Sequence, residues 1–179
     1  MIGIFIRMED CHKCRLRDNC IHPVGGSGSG KIMFIGEAPG ETEDRLGIPF
    51  VGKSGKLLRN AVGDDNYFTN AVKCRPPNNR KPLNDEIEAC FPYLKDEIDN
   101  IKPEVIVFVG KTPYSLHDKL SNLYPNIHFE FFCHPAYALR KGIAKQWTKE
   151  VGDTVNNIKQ EYAFRLHDRR LIELDPLER

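Results

Sequence analysis

Three short stretches carry side chains suited to work on a bond. The first runs Gly36-Glu37-Ala38-Pro39-Gly40-Glu41-Thr42-Glu43-Asp44 and resumes as Gly47-Ile48-Pro49-Phe50-Val51-Gly52. Glycine and proline at this density hold a backbone in special geometry close to something. Its carboxylates are placed for acid–base or metal chemistry, the alternative being an acidic surface turn. Phe50 either packs beneath the loop or offers a flat ligand a stacking face. The second stretch is Thr69-Asn70-Ala71-Val72-Lys73-Cys74-Arg75-Pro76-Pro77. An Asn near the end of a buried strand must satisfy both donor and acceptor, through a local backbone partner or a bidentate contact to a planar base edge. The third is Cys133-His134-Pro135-Ala136-Tyr137-Ala138-Leu139-Arg140. A His just past a strand points from a rigid frame into a cleft rim, the alternative being a lone structural histidine. Leu139 beside Arg140 and Lys141 has the makings of an apolar wedge flanked by phosphate-binding charges.

The six cysteines form a second chemical set: Cys11-His12-Lys13-Cys14, then Cys20, Cys74, Cys90 and Cys133. In a reducing compartment such clustering means metal and not disulfides. Cys-x2-Cys with two distant cysteines suits a tetrahedral zinc ion or an iron–sulfur cluster, and spacing alone leaves both open. Cys133 reads as a buried strand residue.

These residues need elements to hold them. Four short β-branched or aromatic runs bounded by turn residues predict buried strands over 31–36, 67–72, 104–110 and 127–133. Helical spacing lies between and after them, over 53–62, 85–101 (with Asn84 as N-cap), 112–123 and 144–159. Strand alternating with helix predicts an α/β class chain: a three-layer α/β/α domain around a small central parallel sheet of about four strands. Ligands in such folds bind beyond the carboxyl ends of the strands, where the three stretches fall. Gly25–Gly30 (GGSGSG) precedes a strand and not a helix, so it reads as a turn or linker and not a phosphate cradle. One domain over 1–179 is expected, its motif-bearing core about 11–150 and its charged tail about 160–179.

Lys and Arg total 26 against 25 Asp and Glu, a net charge of +1, so any nucleic-acid surface must be local. Candidate basic patches are Lys73-Cys74-Arg75, Asn79-Arg80-Lys81 and Arg140-Lys141. No apolar run approaches the ~20 residues of a membrane span, and MIGIFIRMEDC does not read as a signal peptide. A cytoplasmic, intracellular protein without membrane contact is expected.

Taken together, GEAPG…ED…GIPFVGKSGKLL, TNAVKCRPP and HPAYALR resemble the family 4, thermostable-type uracil-DNA glycosylases, from Cys11 to about Trp147. The resemblance implies hydrolysis of the N-glycosidic bond of uracil in DNA, the first step of base excision repair. The target nucleotide would be flipped into a pocket and the gap filled by a wedge. It implies a [4Fe–4S] cluster on Cys11, Cys14, Cys74 and Cys90, which would bring Lys73 and Arg75 to the DNA side. Cys20 matches no ligand position but is near enough to compete for one. Glu37 would orient or activate water and offset charge on the sugar, while His134 would hydrogen-bond O2 of the departing uracil. Asn70 would read N3–H and O4, Phe50 would stack, Ala38 would lie along the base edge, and Glu43 would sit near C5 and help reject thymine. Leu139 and Arg140 would meet DNA. The expected partner is uracil-containing DNA and the expected state a monomer.

Other readings predict other features. A uracil binder without turnover would carry an Arg-Arg-Ile-His-like basic insertion, and none lies between Phe50 and Asn70. A zinc-stapled nucleic-acid module leaves Glu37, Asn70 and His134 unexplained. An acyl or phosphoryl transferase would need a nucleophile elbow or P-loop, and neither is present. His134-Pro135 is followed by Ala136 where the family often has Ser, which would remove one phosphate contact.

Overall fold

A computed structural model describes Met8 and residues 11–173, with side chains as far as residue 163. The start of the chain and the end of the charged tail, 174–179, lie outside the described residues. Four parallel strands stand in the order β2-β1-β3-β4: β1 (Ile32–Gly36), β2 (Tyr67–Asn70), β3 (Val105–Val109) and β4 (His128–Phe132). Side chains alternate across the sheet, and both faces are apolar because both are covered. Met33, Ile35, Ile106 and Phe108 share one core with Leu94 and Ile98 of α3 (Asn84–Ile101) and Leu120 of α5 (His117–Leu123). Phe34, Val107 and Val109 share the other with Leu58 of α2 (Lys53–Val62), Ala138 of α6 (Pro135–Lys141) and Trp147, Val151 and Val155 of α7 (Ala144–Glu173). The three layers expected from the sequence are present.

Chain direction sets where a site can form. From β1 the chain passes α1 (Glu41–Leu46) and α2 to reach β2, then crosses back beneath β1 through α3 to reach β3. The two crossovers leave β1 in opposite directions, so a crevice opens beyond the carboxyl ends of β1 and β3. Glu37 begins the loop after β1, and α4 (Lys111–Tyr114) follows β3 directly.

Five expectations need correction. Strand 127–133 is not buried: β4 is an edge strand, half-exposed, and Cys133 lies past its end, exposed, with its carbonyl and sulfur both accepting the Trp147 indole N–H at 3.1 Å. The helix over 112–123 is two: at the join Ser115 turns its hydroxyl onto the Thr112 carbonyl at 2.7 Å and Leu116 N–H donates to the Pro113 carbonyl at 3.0 Å, which tightens the turn. Asn84 is already helical, and α3 is capped by Glu86, which accepts the Leu83 N–H at 2.8 Å. The GGSGSG segment is docked and not a free linker: Ser27 bridges Phe68, and Gly26 donates its N–H to Glu97 at 2.8 Å. A Cβ on Gly28, at φ +108°, would stand 2.0 Å from the Asn66 carbonyl oxygen, so glycine is required there. Finally, two short helices, α1 and α6, stand where the sequence offers only a loop and a motif: α1 is nearly all polar, and α6 is only seven residues long and opens on a proline. Among the described residues, no helix is long and apolar enough to cross a membrane.

Candidate active site

Asn70, the last residue of β2, pairs with Gly36 at the end of β1. Beyond that point the strands stay joined, for Ala71 N–H donates to the Gly36 carbonyl at 2.8 Å and Val72 N–H to that of Glu37 at 3.2 Å. A Cβ on Gly36 would meet Asn70 Oδ1 at 2.4 Å and Phe50 Cζ at 2.6 Å, so glycine there lets amide and ring close over the strand end. Asn70 is buried as a residue, yet its side-chain amide has no hydrogen-bond partner among the described residues and is not among their fully buried unpaired groups, so it keeps access to solvent. An amide in that state can offer a ligand a donor and an acceptor together.

Phe50 is held from two directions. Its backbone is left-handed, φ 58°, and Arg59 donates to its carbonyl and to that of Pro49, at 3.1 and 3.0 Å. Gly55 of α2 lies flat against it: a Cβ there would come within 2.3 Å of the Phe50 carbonyl carbon. The strained residue thus sets a ring between Gly36 and Phe68, 5.8 Å from the latter's centroid. Glu43 closes the same loop from the other end. Its carboxylate accepts backbone N–H groups from Gly40 at 3.2 Å, Val51 at 3.0 Å and Gly52 at 2.6 Å. It is committed to holding the loop, and Ala38 lies half-buried where this loop leaves β1.

Glu37 is half-buried and accepts a short hydrogen bond from the Thr112 hydroxyl of α4. Thr112 is itself buried. Sequence reasoning passed over it because it lies inside a run read only for its helical period. His134 caps α6, its Nδ1 accepting the Ala136 N–H at 3.1 Å. A backbone N–H can only donate, so Nδ1 is bare and the proton of the neutral ring is on Nε2. Burial pushes the His134 pKa below its ordinary value and the Arg140 charge adds to this, while the Glu37 carboxylate opposes both. His134 packs against Gly110, whose φ of +103° carries the chain from β3 into α4. Glu37, Asn70, Phe50 and His134 therefore meet at the switch crevice. Leu139, half-buried, and Arg140, exposed, line an open cleft beside it with Thr42, Gly52, Lys53 and Ala136.

Away from this crevice, Cys11, Cys14, Cys74 and Cys90 line one cavity together with Lys13, Arg17 and Tyr93. Burial pushes the Cys14 thiol up and the Cys90 thiol to about 11. Cys74 is raised by its hydrogen bond with Cys20 and by burial, while Cys20, helped by Arg17, is held down at about 7. The Cys11 thiol beside it and burial raise Tyr93 to about 12. The described residues hold no group of three His, Cys, Asp or Glu donors arranged about a single ion. Four thiols lining one cavity are by their chemistry the donor set of a tetrahedral zinc ion or an iron–sulfur cluster.

The basic patches fare unequally. Lys73 is not on a DNA-facing surface: it is buried and paired with Glu97 at 2.7 Å. Arg80 is spent on Glu86 through two bonds of 2.6 and 2.8 Å. Arg75, partly exposed, bonds Asn79 at 2.8 Å and pairs loosely with Glu41 at 3.5 Å.

A strand-end carboxylate, an unspent amide and a neutral imidazole at the switch point of a four-stranded parallel sheet make a candidate small-ligand site on an α/β frame. Residues 22–154 match the family model of the uracil DNA glycosylase superfamily, and the chain belongs to that superfamily. It is 47% identical over 126 residues to a type-4 uracil-DNA glycosylase of Saccharolobus solfataricus, covering 65% of this chain and 58% of the relative. It is 51% identical over 110 residues to the type-4 enzyme of Sulfurisphaera tokodaii, covering 56% and 50%. The type-4 enzyme of Pyrobaculum aerophilum is 45% identical over 111 residues, covering 58% and 57%. The chain thus spans between half and three fifths of the length of these curated relatives.

Proposed function

We propose that this protein hydrolyses the N-glycosidic bond of uracil in DNA, leaving an abasic site, and does so as an intracellular monomer folded as one domain. The observation that carries the reading is the unspent Asn70 amide at the end of β2, paired with the end of β1 just before Glu37, in a chain of this superfamily. Asn70 offers a donor and an acceptor to O4 and N3–H, a pattern cytosine reverses. Phe50 supplies the stacking face, and the Ala38 backbone lies along the base edge. Glu43 acts from behind, holding the Gly40–Gly52 loop so that the loop, and not the carboxylate, excludes the thymine methyl.

The transition state for such cleavage spreads positive charge over the sugar and negative charge over the departing base. Glu37, steadied by Thr112, offsets the first and orients the attacking water. His134 presents its Nε2 proton to O2 of the base. A neutral imidazole can donate there while its Nδ1 is tied to Ala136. Leu139 fills the gap left by the flipped nucleotide, with Arg140 on the flanking phosphate. Cys11, Cys14, Cys74 and Cys90 would hold a [4Fe–4S] cluster. When bound it would supply structural cross-linking between the N-terminal segment, the loop after β2 and α3.

The test is an oligonucleotide with one U·G pair, incubated with anaerobically purified protein and then treated with alkali. Scission at uracil only, lost in Glu37→Ala and His134→Ala, is expected. An intact strand with folded, brown protein would leave the uracil binder without turnover.

A further inference from the structure

Lys73 is the one lysine of the basic tripeptide that no DNA could reach. All three of its ammonium protons are used inside the protein: on Glu97 Oε2 at 2.7 Å, Thr69 Oγ1 at 2.5 Å and the Asn70 backbone carbonyl at 2.9 Å. Thr69 donates in turn to Glu97 Oε2 at 2.6 Å, and Glu97 Oε1 takes the Gly26 N–H at 2.8 Å. The Lys73 main chain faces the other way. Its N–H donates to Cys90 Sγ at 3.3 Å and its carbonyl accepts the Val24 N–H at 2.6 Å.

Burying a lysine is costly, and a simple hydrophobic residue would fill the space more cheaply. The geometry gives a reason to keep it. Asn70 is where β2 leaves the sheet, and its carbonyl needs a donor in the interior. Lys73 supplies that donor from three residues on, closing the turn Asn70–Lys73 and fixing the Cα from which the Asn70 amide projects.

We infer that Lys73 is a positioning residue for base selection, setting the Asn70 amide against the uracil edge by clamping the Asn70 carbonyl to Glu97 and Thr69. The inference rests on the uracil reading above. Displacing a recognition group by about 1 Å costs up to about a hundredfold.

The test uses the cluster-loaded full chain as wild type, Lys73→Met and Lys73→Met/Glu97→Gln, the double variant removing the carboxylate charge that Lys73→Met alone would strand. Three quantities are read: visible absorbance of the cluster, affinity for abasic-site DNA, and inhibition by free uracil. The expected result in the double variant is unchanged absorbance and abasic-site binding with uracil inhibition weakened about tenfold to a hundredfold. Uracil inhibition equal to wild type, or abasic-site binding lost in step with it, would overturn the role. Wild-type protein that neither excises uracil nor is inhibited by it would sink the function instead, so the two failures are distinguishable.

Discussion

The crevice beyond β1 and β3 and the cysteine cavity beside α3 are built on opposite plans. In the crevice most polar groups are already held by the protein. Thr112 steadies Glu37, Ala136 fixes the His134 ring, three backbone amides hold Glu43, and Lys73 clamps Asn70. In the cysteine cavity the thiols are mostly raised by burial and answer chiefly to one another. A buried thiol with a raised pKa holds its proton until a metal displaces it. One region is largely held by folding, with the Asn70 amide left open; the other keeps its thiols for what it would bind. The difference says which substitutions should cost rate and which should cost structure.

The largest expected effect is on rate alone. Glu37→Ala and His134→Ala should each lower single-turnover uracil excision by roughly 10²–10³-fold. The thermal midpoint of Glu37→Ala should stay near wild type, and that of His134→Ala should fall by only a few degrees, through loss of the α6 cap. A collapse of the midpoint would break the comparison. The converse holds for Cys90→Ser, which should bleach the visible absorbance and drop the midpoint on the order of 10 °C. Rate per folded molecule should suffer less, measured after correcting for the unfolded fraction.

Thr112→Val should slow excision roughly tenfold, the worth of one hydrogen bond, with DNA affinity unchanged, and Thr112→Ser should restore it. The His134 pKa lies below the usual imidazole value of about 6.5 because of burial. Between that value and its own lower one, the unfolded chain binds a proton that the folded chain does not. Stability should therefore rise with pH across this window and be lost as pH falls through it. Excision should stay level just below about pH 6.5 and drop only when protonation of Nδ1 breaks its hydrogen bond from Ala136 and releases the ring that aims Nε2–H. His134→Gln should lose that stability inflection in a pH-dependent unfolding series. Smallest is Leu139→Ala, a few-fold loss on duplex DNA and less on single strands, where no stack needs filling.

The same contrast explains what could be read without coordinates. The four strands and α2 were legible because apolar runs bounded by turns have few other uses, and the candidates Glu37, Asn70 and His134 stand out because each lies at or just past a strand end in a motif. Thr112 was not, since a buried hydroxyl inside a helical run looks like any helix residue. Lys73 misled, because beside Cys74 and Arg75 it read as part of a basic patch, and only the partner Glu97, 24 positions away, reveals it as a core group. The docked GGSGSG segment hid for the same reason: its partners Phe68 and Glu97 lie far along the chain. Pair contacts at long sequence separation leave no local periodicity to read.

The most direct test of the account is to detect the released base itself, by chromatography, from matched oligonucleotides carrying uracil, cytosine or thymine at one position, using wild type and Asn70→Ala. The account predicts free uracil and no other base from wild type, with uracil release falling sharply in Asn70→Ala. Release of cytosine or thymine alongside uracil, or undiminished uracil release from Asn70→Ala, would contradict it.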